Sequence, residues 1–228
     1  MSVQLRPAKP EDAGAIARIA ELAQVASIDA DSHRVRSLLA EGQTFVATID
    51  GAIIGFADSF ITPDPTGGDR FEFDLLAVAP AAQGRGVGGR LVAESLAAAA
   101  DSGARHVRAL VRCENAAMRK LCRRRGFTRH PESFALYVVD PQPVAPRKRK
   151  HDAWLIAVET LSYAGLWLEG ELSQEAIDDA HWLASQGELT LIGAVIPSTA
   201  RDVVELLEAN SFINVGQYQW WTINLRND

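Results

Sequence analysis

Cysteine is scarce in this chain: 228 residues hold two, Cys113 and Cys122, nine positions apart. That spacing matches no zinc or redox pattern and gives no disulfide framework, so the sequence predicts two reduced thiols and a cytoplasmic setting. No His-Glu-x-x-His and no Gly-x-Ser-x-Gly occurs. The signatures of zinc proteases and serine hydrolases are therefore missing, and no metal is expected. No lysine follows a glycine, which removes the Walker-type phosphate loop. No apolar run reaches the ~20 residues of a membrane span, and no basic start leads into an apolar block, so neither insertion nor export is expected. Hydrophobic residues make up 47% of the chain, the content of a globular protein with a real core.

Positive charge is missing from one part only. Residues 151–228 carry 2 basic and 12 acidic side chains, whereas residues 1–150 carry 21 and 17. All five tryptophans (Trp154, Trp167, Trp182, Trp220, Trp221) fall in the acidic part. Two compositions suggest two units, residues 1–140 and 152–228. Residues 141–151, prolines followed by the basic run Arg147–Lys150, read as a semi-rigid linker. The acidity of the second unit argues against nucleic acid as its partner.

What is present centres on Phe71 to Leu91, FEFDLLAVAPAAQGRGVGGRL. An apolar strand-like run ends near Val78, Pro80 opens a turn, and a glycine-rich hexad leads into an alanine-rich helix. Glycines let peptide N–H groups approach an anion with no Cβ in the way, and a helix N-terminus adds about half a positive charge. Gly84, Gly86 and Gly89 fit the dinucleotide fingerprint literally, but that pattern belongs directly after the first strand of a βαβ unit. Here Pro80-Ala-Ala-Gln separates strand from glycines, and strand and helix material precedes them.

The hexad also fits Gln/Arg-x-x-Gly-x-Gly/Ala through Gln83, Gly86 and Gly88. Val46 to Ala57 reads as a hairpin about an Asp-Gly turn. Downstream, Asn115 is followed by Met118, Leu121 and Gly126-Phe127. In this combination residues 3 to 140 resemble the GNAT superfamily of acyl-CoA-dependent N-acyltransferases. The resemblance implies a mixed α/β sheet flanked by helices, with acetyl-CoA as co-substrate and an amine as acceptor. It implies a cofactor site at Ala77, Val78, Gln83, Gly84, Arg85, Gly86, Val87, Gly88, Gly89 and Asn115, with the oxyanion donor a backbone N–H near Val78. It also implies that the first two helices, beginning near Asp12 and Ser32, cover the acceptor. Asn115 would equally cap the helix that follows it.

Acyl transfer needs a base for the ammonium proton and an acid for the departing thiolate. Glu72 and Asp74 lie two apart on the central strand, on one face unless a bulge intervenes, and both are candidate bases. At the position seven after Asn115, where many family members place a tyrosine, stands Cys122; it is the candidate acid, or else a small packed hydrophobe on a stripe with Met118 and Leu121. Tyr137 is the other hydroxyl-bearing aromatic of this unit. The departure keeps open a second function, an acyl-CoA-binding sensor or assembly module without turnover. A third class is a purely structural interaction protein that binds no CoA.

Beyond the linker the pattern returns in diluted form: strand, helix 174–186, strand, helix opened by Ser198 as N-cap, strand. A shift of 85 places Val107 on Ile192, Ala109 on Ala194, Val111 on Ile196, Met118 on Val203, Leu121 on Leu206 and Phe127 on Phe212. Asn115 becomes Ala200, Gly126 becomes Ser211, and no glycine loop occurs. Residues 152–228 thus read as a degenerate half-copy of the same fold that binds no pyrophosphate. It could close the acceptor site, build a homodimer or cap the sheet.

Overall fold

A computed structural model describes residues 2–144, 150–187 and 189–225. Most of the basic run of the expected linker lies outside the described residues. The first unit begins with β1 (Gln4–Pro7), α1 (Ala13–Leu22) and α2 (His33–Ala40), then the hairpin β2 (Phe45–Ile49) and β3 (Ala52–Pro63). β4 (Asp69–Val78), α3 (Val87–Asp101), β5 (His106–Arg112), α4 (Ala116–Arg124), β6 (Thr128–Arg129) and β7 (Phe134–Val139) complete it. The second holds β8 (Trp154–Glu159), β9 (Ala164–Glu169), α5 (Gln174–Gln186), β10 (Leu191–Pro197), α6 (Arg201–Ala209) and β11 (Ile213–Asn224).

All strands join one mixed sheet in the order β1-β2-β3-β4-β5-β11-β7-β10-β9-β8, with β6 on β11. The sheet does not stop where the composition changes. β11, the last strand of the chain, is antiparallel to both β5 and β7, and β7 in turn pairs with β10. Each unit therefore has its final strand lodged beside the other's.

Alternation along the strands separates two faces. Val107, Ala109 and Val111 of β5, with Trp221 of β11, meet Leu91 and Val92 of α3 in one core. Tyr137, Leu166, Ile192 and Ala194 meet Ile177 of α5 and Leu207 of α6 in a second. α3 to α6 thus cover one face. On the other, α1 and α2 pack over Val46, Phe56 and Ala77, joined there by Leu161 from the turn between β8 and β9. That turn is tied in place by Arg34, whose Nη1 donates to the Tyr163 carbonyl at 3.2 Å.

The shift of 85 holds element by element: β5 begins at His106 and β10 at Leu191, α4 at Ala116 and α6 at Arg201. The expected N-cap at Ser198 is corrected. Ala200 stands at that position, and the Ser198 hydroxyl donates to Gln217 Oε1 at 2.6 Å instead. β8 has no counterpart in the sequence reading.

Candidate functional site

The face not covered by α3 to α6 floors a cavity of about 1060 Å³ lined by both units. It opens because β4 and β5 part company. They pair in parallel only from Arg70–His106 to Glu72–Arg108, so beyond Glu72 one side of β4 has no strand beside it. Ala79 N donates to Ile54 O at 2.8 Å across β3. In an antiparallel ladder the peptides alternate in direction, so the N–H groups of Val78 and Leu76 turn away from β3 toward the gap. The Ala77 peptide faces β3, and its side chain is buried at the cavity wall.

At the open end of the gap lies the glycine loop. Gly84 and Gly86 have φ of +76° and +78°, a left-handed backbone that their missing Cβ permits. Gly86 is the N-cap of α3 and gives the helix no side-chain cap. Among the described residues, none accepts a bond from the N–H groups of residues 84–89. Gln83 folds back, its Nε2 donating to the Val78 carbonyl at 3.0 Å. At Gly88 a Cβ would meet Leu76, Leu121 and Val78 at 3.5 to 3.8 Å, ordinary contact that aims any side chain there into the gap. Val87 is a core residue, and the Arg85 side chain is exposed. Arg125 was not singled out by sequence; its Nη2 lies 2.9 Å from where a Gly89 Cβ would sit, so a guanidinium overhangs the first turn of α3. Asn115 lines the cavity and also caps α4, accepting from Met118 N at 2.9 Å.

Glu72 and Asp74 both reach the cavity but occupy different environments. Opposite Phe73 and Leu75 stand the consecutive residues Ser59 and Asp58, so Asp74 is the extra residue of a bulge in β4. Glu72 accepts from Thr62 Oγ1 (2.8 Å), Arg70 Nε (2.8 Å) and Arg108 Nε (2.8 Å to each oxygen). Two arginines and a threonine hold it as their counter-ion, with Oε2 taking only the Arg108 bond. Asp74 has no such partner: its Oδ2 is sealed from water and makes no hydrogen bond among the described residues. Burial, reinforced by the charges of Asp58 and Glu72, pushes its carboxyl up to about 8. Asp58 behind it accepts from Thr44 Oγ1 at 2.6 Å, and burial pushes it up to about 6.

The acid expected at Cys122 is not brought to the cavity. Cys122 is 1% exposed in the core beneath α3, and burial pushes its thiol up to about 12. Its stripe partners Met118 and Leu121 line the cavity, but the next residue along a helix is turned by ~100°, here into the core. Tyr137 is buried as well, its hydroxyl 3.4 Å from Glu208 Oε1. The phenols on the cavity come from the second unit, Tyr163 and Tyr218. Tyr163 is raised by burial and then by the Asp74 charge, and both residues line the cavity. A buried salt-bridge cluster links the units: Glu169 Oε1 receives Arg70 Nη2 at 2.8 Å and Arg108 Nη2 at 2.6 Å.

No helix of the described residues is long and apolar enough to cross a membrane. No curated protein matches the chain. Among solved structures, a candidate acetyltransferase from Pyrococcus horikoshii is similar over 98% of this chain and 90% of its own, with a TM-score of 0.64 and 15% identity. A GCN5-related N-acetyltransferase from Kribbella flavida is similar over 98% of this chain and 72% of its own, at 0.57 and 12%. Naa50 from Arabidopsis thaliana, in complex with the bisubstrate analogue CoA-Ac-MVNAL, is similar over 63% of this chain and 91% of its own, at 0.50 and 15%. These likenesses concern the fold. Residues 16–127 match the family model "Acetyltransferase (GNAT) family", and they hold the parted strands and glycine-opened helix already described: this part of the chain is a GNAT-family acetyltransferase domain.

Proposed function

We propose that the protein transfers an acetyl group from acetyl-CoA to a primary amine, with the pantetheine arm between β4 and β5 and the pyrophosphate on the N–H groups of residues 84–89. The observation that carries this reading is the gap beyond Glu72 opening onto an N-terminus of α3 that no side chain caps. Arg125 adds a cation at the same turn. Asn115 would reach the arm with the amide nitrogen that its capping role leaves over.

The chemistry follows from what the cavity offers. The acceptor arrives as an ammonium and must lose a proton before it attacks, because a free amine has a pKa near ~10.4. Asp74, with a carboxyl at about 8, is the group matched to that task. The amine nitrogen adds to the thioester carbonyl, and the oxyanion falls against the free N–H groups of Val78 and Leu76. The C–S bond then breaks and its electron pair leaves on sulfur. The second amine proton ends on the CoA thiolate, a leaving group with a pKa of ~8.5 that a protonated Asp74 can satisfy. One proton goes to solvent for each amide formed. No cysteine is needed.

The second unit is, on this reading, a half-copy of the fold that lost its phosphate loop and became the far wall of the cleft. Thermal shift with acetyl-CoA and thiol release on adding an amine test the proposal. A clear shift with turnover is expected; a shift without thiol release on any amine would turn the protein into a CoA-binding module, and no shift would end the cofactor assignment.

A further inference from the structure

Away from the glycine loop the cavity ends in rings. Tyr163 stands in the β8–β9 turn, which Thr160 Oγ1 braces by accepting from Ser162 N and Tyr163 N. Trp167 Nε1 donates to the Tyr163 hydroxyl at 3.0 Å, and Phe60 meets the Trp167 ring edge-on at 5.5 Å. Tyr163, Trp167 and Phe60 all line the cavity beside Asp74. The turn is anchored by Leu161, two residues before Tyr163 and fully buried against α1 and α2.

The charges at this end are already matched. Arg108 lies 4.2 Å from the centre of the Trp220 ring, and its Nε and Nη2 are taken by Glu72 and Glu169. Arg70 gives Nε to Glu72 and Nη2 to Glu169. Two guanidiniums face two carboxylates, so neither Arg70 nor Arg108 is left over as a counter-ion for a substrate carboxylate. Asp74 is different. Its Oδ2 is an acceptor with no donor, beside aromatic faces that attract cations.

We infer that the acceptor is a small primary amine carried on a flat, apolar body and lacking a carboxylate, held between Asp74 and the Tyr163–Trp167 wall that the second unit supplies. This rests on the transferase reading and adds the substrate class. The ammonium takes the Asp74 carboxyl, and the apolar body takes the rings. Amino acids are disfavoured by their carboxylate. Peptide N-termini are disfavoured by backbone groups for which a wall of rings has no partners.

The test uses the full chain at saturating acetyl-CoA with three acceptors: phenethylamine, phenylalanine and tetra-alanine. Phenethylamine should exceed phenylalanine in kcat/KM by at least ~100-fold, because the latter takes an unpaired carboxylate out of water. Trp167→Leu should raise KM for phenethylamine by ~10-fold with little change in kcat, and Trp167→Phe should recover most of it. The acetyl-CoA thermal shift should stay as in the parent for both variants. Phenylalanine or tetra-alanine at parity, or no turnover of phenethylamine while acetyl-CoA still binds, overturns the inference and leaves the cofactor site standing. Absence of any acetyl-CoA shift in the parent overturns the transferase reading and this inference with it. The acceptor comparison uses the parent protein, so it decides the matter even where a tryptophan variant fails to fold.

Discussion

Asp74→Asn should make the protein more stable and much less active. In the parent the carboxyl titrates at about 8 in the folded chain against 3.8 when free, because burial and the nearby Asp58 and Glu72 disfavour its charge. A carboxyl raised in this way stays fully stabilising only below 3.8. As pH climbs from there to about 8, the unfolded chain ionises and the folded chain does not, so stability is lost across that window. At 1.36 kcal/mol per unit the shift is worth at most ~6 kcal/mol, and relaxation of the protein around a buried charge cuts this to roughly half, ~3 kcal/mol. Asparagine has no such window. The stability difference, variant minus parent, should therefore grow steadily between pH 4 and pH 8, reaching ~6–12 °C in Tm for a chain of this size. Over the same range kcat/KM of the parent should rise with pH through about 8, as the base ionises. The variant should lose ~10²- to 10⁴-fold in rate and keep its acetyl-CoA thermal shift. Calorimetry across the pH series and a thiol-release assay read both effects. A stability difference that is flat with pH would refute the buried-carboxyl argument, and an unchanged rate would refute its use as base.

Three further substitutions separate packing from chemistry. Cys122→Ala removes a sulfur from the core beneath α3 and should cost ~1–2 kcal/mol in urea unfolding with kcat unchanged; a large fall in kcat with folding intact would restore the thiol to the mechanism. Gly88→Glu needs no left-handed backbone and brings a carboxylate to the gap, where Leu76, Leu121 and Val78 stand 3.5 to 3.8 Å from its Cβ. It should abolish the acetyl-CoA shift, which at a ligand concentration 100 times Kd is ~2.7 kcal/mol in the parent. An equal shift in both proteins would place the phosphates elsewhere. Arg108→Leu leaves Glu72 and Glu169 short of a counter-ion and should destabilise by ~3–5 kcal/mol, read as a lower urea midpoint; a midpoint unchanged from the parent would show the cluster to be screened by solvent.

The local parts of the site were legible because their causes are local. A glycine where φ must be positive, a proline opening a turn and an asparagine three residues before the N–H it caps all leave their mark within a few positions. What escaped is non-local. An inserted strand keeps the same apolar alternation wherever it is inserted, so nothing in Ile213 to Asn224 says that it will lie between β5 and β7. For the same reason Tyr163 and Trp167 gave no sign of sharing a cavity with Asp74 across about ninety residues of chain. The Asp74 bulge separates two carboxylates whose sequence spacing implies equivalence. At Cys122 the helical stripe was real, but one residue's rotation decides between cavity and core.

The two units also explain each other. At the shift of 85, Gly126 and Ser211 share a left-handed backbone, with φ of +85° and +65°. Asn115 and Ala200 share nearly the same dihedrals, −76° and 77° against −80° and 74°. The two units hold the same backbone geometry with different residues. A serine held at positive φ is strained, and an alanine N-cap offers no acceptor, so the second unit carries small costs of order 1 kcal/mol each that the first avoids. The helices after the central strands differ in the opposite sense. α5 is closed by its own residue, Ser173, whose hydroxyl accepts from Ala176 N at 3.3 Å, whereas α3 begins on a glycine with no side-chain acceptor. A helix start left uncapped by its own sequence is the costlier arrangement unless something else accepts from those N–H groups. In the unit with the glycine loop the proposed acceptor is the cofactor's pyrophosphate. In the unit without it, a serine does the same work, and the strands beside it are free to serve as the wall of the neighbouring cleft.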